Sequence, residues 1–171
     1  MHKENAVLSI AVLTVSDTRD ETNDKSGQYL ASAVNAAGHR LAQKVIVKDD
    51  IYQLRAQVSA WIADPSVDAV ITTGGTGFTS RDVTPEAISV LFDKEVEGFG
   101  ELFRALSYEE IGTATIQSRT LAGYANRTVI FCLPGSSGAC RTGWEKIIQS
   151  QLNASFKPCN FVAHLGTGVS A

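Results

Sequence analysis

Val67-Asp68-Ala69-Val70-Ile71-Thr72-Thr73-Gly74-Gly75-Thr76-Gly77-Phe78-Thr79-Ser80-Arg81-Asp82-Val83-Thr84-Pro85-Glu86 decides the fold. An apolar, β-branched run (Val67 to Thr73) reads as a strand and stops at glycines that cannot continue it. A helix then opens at Thr84-Pro85-Glu86, with Thr84 expected as N-cap and Pro85 at the first helical position. Strand, glycine loop, helix is the repeating half-unit of a parallel α/β sheet.

The same alternation runs outward in both directions. Val7 to Val15 is apolar almost throughout, which suits a central strand buried on both faces. A polar loop from Ser16 to Lys25 follows, and then a helix from Gly27 to Ala37, with Ser26 expected as its cap and Gly38 just past its end. Leu41 to Val47 is the second strand. Asp49 or Asp50 caps the next helix, whose stripe is Ile51, Leu54, Val58, Trp61 and Ile62, and Asp64-Pro65 ends it. Beyond the central segment, Glu95 to Tyr108 reads as a helix and Ile111 to Ala122 as a second one ending at Gly123. Thr128 to Leu133 is a strand broken by Pro134-Gly135-Ser136, and Cys140 to Leu152 is a last helix. With no repeat and no linker, residues 1–171 are expected to form one domain, with 1–5 and 166–171 flexible.

Composition narrows the function. Charged residues are 19%, the hydrophobic set is 44% and the formal net charge is −3. That is a globular balance without a global basic field for nucleic acid or anionic lipid. No apolar run approaches the roughly 20 residues a membrane span needs, and the opening residues lack signal-peptide order. No nucleic-acid or membrane partner is therefore expected, and the cytoplasm is the expected location. Cys132, Cys140 and Cys159 are scattered, with no metal or disulfide spacing, and read as packing thiols. His39, at a helix end, reads as a surface or dipole partner.

The chemistry gathers where strands hand over to helices. Ligands of open α/β sheets bind outside the carboxyl ends of the strands. At Gly74, Gly75, Thr76 and Gly77 the backbone can turn sharply and bring its N–H groups close to a phosphate, and the nearby hydroxyls add small donors. Arg81 offers a fork to phosphate or carboxylate. Asp82 can hold magnesium, orient a nucleophile, or pair with Arg81. The string is neither GxxxxGK[ST] nor GxGxxG. Gly135 and Ser136, in LPGSSG, form a second such loop. Ser16, Asp17 and Ser26 lie around a third, and Asp49 and Asp50 follow the second strand. Each loop alone also reads as an ordinary turn or cap. Together they open on one sheet edge, where an anionic small molecule would sit. No Ser/His/Asp or Cys/His set stands out, so electrostatic phosphoryl chemistry fits better than covalent catalysis.

TTGGTG followed by RDVTPEAI, then EVEGFGELFR, SYEEIG, SRTLAG and LPGS, resembles the MoaB/MogA molybdenum cofactor biosynthesis family from about Val7 to Leu152. VEGFGELFR, SYEEIG and PCNF are most similar to its MoaB branch. The resemblance implies a three-layer α/β sandwich with a mostly parallel sheet, the molybdopterin-binding fold, assembled as a homo-oligomer (trimer or hexamer). It implies molybdopterin as ligand and, in active members, adenylylation of its phosphate with ATP and Mg2+. On that resemblance Asp82 and Asp49 are the catalytic and metal-holding acids. Gly74, Gly75, Thr76, Gly77, Arg81 and Thr84, with Ser16, Asp17, Ser26, Gly135 and Ser136, fall in the binding loops. A non-catalytic carrier of molybdopterin or a precursor is the alternative, and a purely oligomeric scaffold a third. Apolar residues of VEGFGELFR and of Ile111 to Ala122 are candidates for subunit contacts.

Overall fold

The structure, a computed structural model, describes residues 6–166. The flexibility expected of both ends falls outside the described residues, apart from Gly166, whose carbonyl accepts from Arg127.

One six-stranded sheet runs in the order β2-β1-β3-β6-β5-β4. Four strands are parallel: β2 (Arg40–Val47), β1 (Ser9–Val15), β3 (Ala69–Thr73) and β6 (Thr128–Leu133). The last two, β5 (Leu121–Ala125) and the short β4 (Lys94–Glu95), add on antiparallel.

Side-chain alternation sorts the core into two layers. Ile10 and Val12 of β1, Ile71 of β3 and Val129, Phe131 and Leu133 of β6 point to one face. There they meet α1 (Lys25–Ala36), α4 (Glu97–Ile111) and the helical run that begins with α5 (Ser137–Gly143) and continues through a π-helical turn at Trp144–Ile148. Ala11, Leu13, Val15, Val70, Ile130 and Cys132 point to the other face, against Leu54, Val58 and Trp61 of α2 (Ile51–Ala63) and Ala87 and Ile88 of α3 (Thr84–Ile88). Both faces of β1, β3 and β6 are covered, which is why those strands are apolar without alternation. The edge strand β2 instead carries Arg40, Gln43 and Lys44, and Gln43 accepts the Trp61 indole N–H at 2.9 Å.

Several expected boundaries move, each for a local reason. Asp24 caps α1: its carboxylate accepts from Gly27 N at 2.9 Å, while Ser26 lies buried inside the first turn. Asp50, not Asp49, caps α2 through Tyr52 N and Gln53 N. Val83 precedes α3 with no side-chain cap, because the Thr84 hydroxyl donates to Gly74 O at 2.8 Å. Ser136 caps α5 through Ala139 N, so that helix starts at Ser137 rather than Cys140.

The largest correction is at 111–125. No helix ends at Gly123: a 3-10 segment (Gly112–Gln117) follows α4, and Leu121–Ala125 is a strand. Asn126 and Arg127, both with positive φ (45° and 68°), make the two-residue turn that joins it to β6. Cys132 and Cys140 are buried as expected, whereas Cys159 is exposed. His39 is half-buried and accepts from Leu8 N at 3.2 Å.

Candidate functional site

The carboxyl ends of β1, β3 and β6 and the loop after β2 surround one cavity of about 560 Å³. Its floor is the glycine loop. Gly74 N donates to Leu133 O at 3.0 Å and the Thr73 hydroxyl donates to Pro134 O at 2.8 Å, so the turns after β3 and β6 are stitched together. Gly74 and Gly75 have φ of 103° and 69°, open cheaply only to glycine. A Cβ on Gly75 would stand 2.3 Å from the Thr84 hydroxyl, and one on Gly74 would stand 2.3 Å from Val15 O.

Thr84 fixes which way this loop faces. Its hydroxyl donates to Gly74 O and its N–H donates to Gly75 O. In a planar trans peptide the N–H points opposite to the carbonyl. The Gly75 and Thr76 amides therefore point away from Thr84, which lies outside the cavity lining.

The acids sit beside the glycines. Asp82 Oδ2 accepts from Thr79 N at 2.9 Å and from the Thr79 hydroxyl at 2.7 Å. Desolvation pushes its carboxyl up, but the Thr79 bonds and the Gly77 amide outweigh it, and the net shift is downward. Asp49 goes the other way: desolvation first, then the Asp17 and Asp82 charges, raise it above the ordinary 3.8. Asp17 grips Arg81 with both oxygens (2.8 and 3.0 Å) and also accepts from Asp49 N at 3.2 Å. Arg81 adds a bond to Asp49 O at 2.8 Å. An Arg81–Asp82 pair, one of the readings open in the sequence, does not form; Asp17 takes the guanidinium.

The opposite wall comes from a different part of the chain: Phe103, Ser107 and Ile111 of α4, then Ala114, Gln117 and Ser118.

Residues 11–154 match the family described as "Probable molybdopterin binding domain". The chain belongs to that family. It is 59% identical over 156 residues to "Molybdenum cofactor biosynthesis protein B" of Escherichia coli (strain K12), covering 91% of this chain and 92% of that one. It is 48% identical over 154 residues to the protein of the same name from Bacillus subtilis (strain 168), covering 88% and 91%. A solved "Crystal structure of Molybdenum cofactor biosynthesis protein B" superposes with a TM-score of 0.85 at 46% identity, covering 88% of this chain and 94% of that one.

Of the residues expected in the binding loops of this molybdopterin-binding domain, the fold brings Ser16, Asp17, Asp49, Gly74, Gly75, Thr76, Gly77, Arg81, Asp82, Gly135 and Ser136 to the cavity wall. Ser26, Thr84 and Asp50 do not line it. The Ser26 hydroxyl donates to Gly135 O at 2.7 Å, and Thr84 holds Gly74 and Gly75, so both position loops from behind.

Arg119 is a residue that local sequence reading did not single out. Its Nε donates to Gly77 O at 2.8 Å, Nη2 donates to Asp82 O at 3.0 Å, and Nη1 pairs with Glu86. Its guanidinium also lies 5.3 Å over the Phe78 ring. Arg119 thus clamps both ends of the segment that carries Asp82. The available signal was the hairpin: LAGYA and TVIFCL separated by two residues beginning with Asn.

Proposed function

We propose that the cavity holds molybdopterin and ATP and that the protein transfers an adenylyl group to the terminal phosphate of molybdopterin. Family membership and the identity with molybdenum cofactor biosynthesis protein B support a role in molybdenum cofactor biosynthesis. The observation that carries the finer reading is the convergence of Gly74–Gly77, Asp49 and Asp82 on one cavity with the Gly135-Ser136 turn. Amides directed away from Thr84 serve phosphate oxygens. In the reaction an oxygen of the substrate phosphate attacks the α-phosphorus of ATP. The Pα–O bond to the β-phosphate breaks, pyrophosphate leaves with that electron pair, and a phosphoanhydride remains.

The residues fit a magnesium ion. Burial first, and then the negative charges of Asp17 and Asp82, raise the Asp49 carboxyl above its ordinary value, and a cation would offset both. Among the described residues no group of three or more acids, histidines or cysteines is placed to cage a metal. Magnesium commonly takes one or two carboxylates and completes its shell with substrate phosphates and water. Asp49 and Asp82 would hold it, and it would offset charge on the phosphates. The chain's own residues place the reactants: the glycine loop holds phosphate, and Phe103 and Ile111 give the facing wall apolar surface.

The same reading takes the molecule as a homo-oligomer, since Leu102, Tyr108, Ile111 and Ile116 stand exposed on the α4 side. Sedimentation giving monomer alone at micromolar concentration would count against that part.

The deciding experiment mixes protein, molybdopterin and Mg-ATP and follows pyrophosphate and adenylylated product by mass spectrometry. Wild type should release pyrophosphate, and Asp82→Asn should lose about 10³-fold in rate while keeping molybdopterin affinity within a few-fold. Tight binding without pyrophosphate release identifies a carrier instead.

A further inference from the structure

We propose that Arg19 is the residue that receives a phosphate group in this cavity, on the Gly135-Ser136 side, where sequence pattern had pointed to Arg81. The inference rests on the functional reading above and names the cation that completes it.

Among the described residues, the lining of the cavity includes two cations, Arg19 and Arg81. Arg81 is already committed: Nε and Nη2 grip both oxygens of Asp17, and Nη2 also bonds Asp49 O. A bidentate arginine–carboxylate pair matches the geometry that phosphate would use. An incoming phosphate would have to displace Asp17 and would meet Asp49 and Asp82 nearby. Arg81 therefore acts as a brace between the loops after β1 and β2.

Arg19 is differently placed. Its side chain is 35% exposed, with Nη2 3.3 Å from Gly135 O and Nη1 3.8 Å from Asp24, the latter too long for a hydrogen bond. Asp24 does not depend on it: that carboxylate is fully buried and takes the Thr14 hydroxyl at 2.8 Å, Gly27 N at 2.9 Å and Lys44 Nζ at 3.1 Å. A guanidinium has five N–H donors, and one hydrogen bond leaves most of them for a ligand. Gly135 O accepts from both Ser26 and Arg19, which fixes the turn relative to the arginine. The Ser136 hydroxyl, which accepts from Ala139 N, still has its own hydrogen to donate.

The charges of the cavity are thus sorted. Asp49 and Asp82 lie by the Gly75–Gly77 side, and Arg19 lies by Gly135. The two sides adjoin, since a Cβ on Gly135 would stand 3.4 Å from Gly74 Cα. A phosphate ester held by Arg19 and Ser136 would have the acids, and the cation they attract, on its other flank.

The test uses inorganic pyrophosphate without divalent cation, read as a shift in Tm, and then molybdopterin titrated by fluorescence. Wild type, Arg19→Gln, Arg19→Lys and Arg81→Gln are compared. Pyrophosphate should raise the Tm of wild type and leave Arg19→Gln unmoved, with Arg19→Lys between them. Molybdopterin affinity should fall about tenfold or more in Arg19→Gln, the scale of a lost charge-assisted bond. Circular dichroism checks that Arg19→Gln is folded; Arg19→Lys, which keeps the charge but not the fork, carries the test if it is not. The proposal is overturned if Arg19→Gln responds like wild type, if Arg81→Gln alone loses the response, or if wild type shows no response to pyrophosphate. A pyrophosphate response that depends on Arg19, in a wild type that ignores molybdopterin, removes the functional reading and leaves the anion site standing.

Discussion

The parallel half of the sheet and its antiparallel edge build the same cavity by different means. On the parallel side the loops after β1, β2, β3 and β6 deliver glycine turns, a caught carbonyl at Gly135, amides set by Thr84, and the charged side chains Asp17, Arg19, Asp49, Arg81 and Asp82. On the antiparallel side α4, the 3-10 segment and the link into β5 deliver side chains: Phe103 and Ile111 as wall, and Arg119 as a clamp on the Asp82 segment. In the proposed reaction the first half would hold the anion, while the second faces it and holds the Asp82 segment in position. The two can be perturbed separately.

The parallel side should be the more brittle. Gly75→Ala puts a Cβ into the Thr84 hydroxyl at a φ of 69°. Strain of about 1–3 kcal/mol together with a misaimed amide should reduce the proposed adenylyl transfer by about 10²–10³-fold. Comparing kcat/KM with Gly138→Ala, where a Cβ meets nothing within 4 Å, isolates the loop from a general glycine effect.

Asp24→Ala asks how far the same side depends on its buried charge. It strips α1 of its cap and leaves Lys44 facing Glu21 alone. Breaking a buried pair costs about 3–5 kcal/mol, which corresponds to a fall in Tm on the order of 10 °C at about 2–4 °C per kcal/mol. The pH dependence has a definite sign. Desolvation opposes ionisation of Asp24, but Gly27, Thr14 and Lys44 outweigh it and hold its carboxyl below 3.8. Its contribution is present above that value and is lost as pH falls through the depressed one. Acid unfolding of wild type, set beside Asp24→Asn, should show a loss confined to that acid window.

Arg119→Gln tests the antiparallel side. Losing the bonds to Gly77, Asp82 and Glu86 should cost about 10–100-fold in transfer, at about 1.5–3 kcal/mol for charge-assisted bonds. Arg119→Lys should rescue little, since an ammonium cannot span those acceptors. If molybdopterin binding and transfer both survive in Arg119→Gln, the edge is merely a wall.

The smallest effect is expected among the crowded carboxylates of the parallel side. Burial first, and then the charges of Asp17 and Asp82, raise the Asp49 carboxyl above its ordinary value. Stability tied to that proton is present at low pH and is lost as pH rises from 3.8 through the raised value. Asp49→Asn should therefore leave the metal-free Tm unchanged or slightly higher while weakening Mn2+ or Mg2+ binding. In wild type, metal affinity should begin to fall at a higher pH than an ordinary aspartate would give. A lower Tm in Asp49→Asn would contradict the crowding that the three carboxylates impose.

Much of this molecule was legible along the chain because its causes are local. An apolar strand buried on both faces, a glycine run and a helix start are written within about twenty residues of each other. The rule that parallel strands open on one edge then gathers the loops. That is how Gly74 to Gly77, Asp82, Asp49 and Gly135 could be assigned to one place. The hairpin at Leu121–Leu133 escaped because its glycine reads as a helix end as easily as a strand residue, and only pairing with Ile130 makes it strand. Which arginine holds a carboxylate, which serine faces the cavity and which lies behind the loop, and what Arg119 reaches were not local questions. Partners 37 and 64 residues apart settled them, and such distances close only when the sheet has folded. Composition and periodicity located the four parallel strands and the glycine turns after them. Packing distributed the charges among them, because a guanidinium takes the carboxylate that tertiary structure sets beside it.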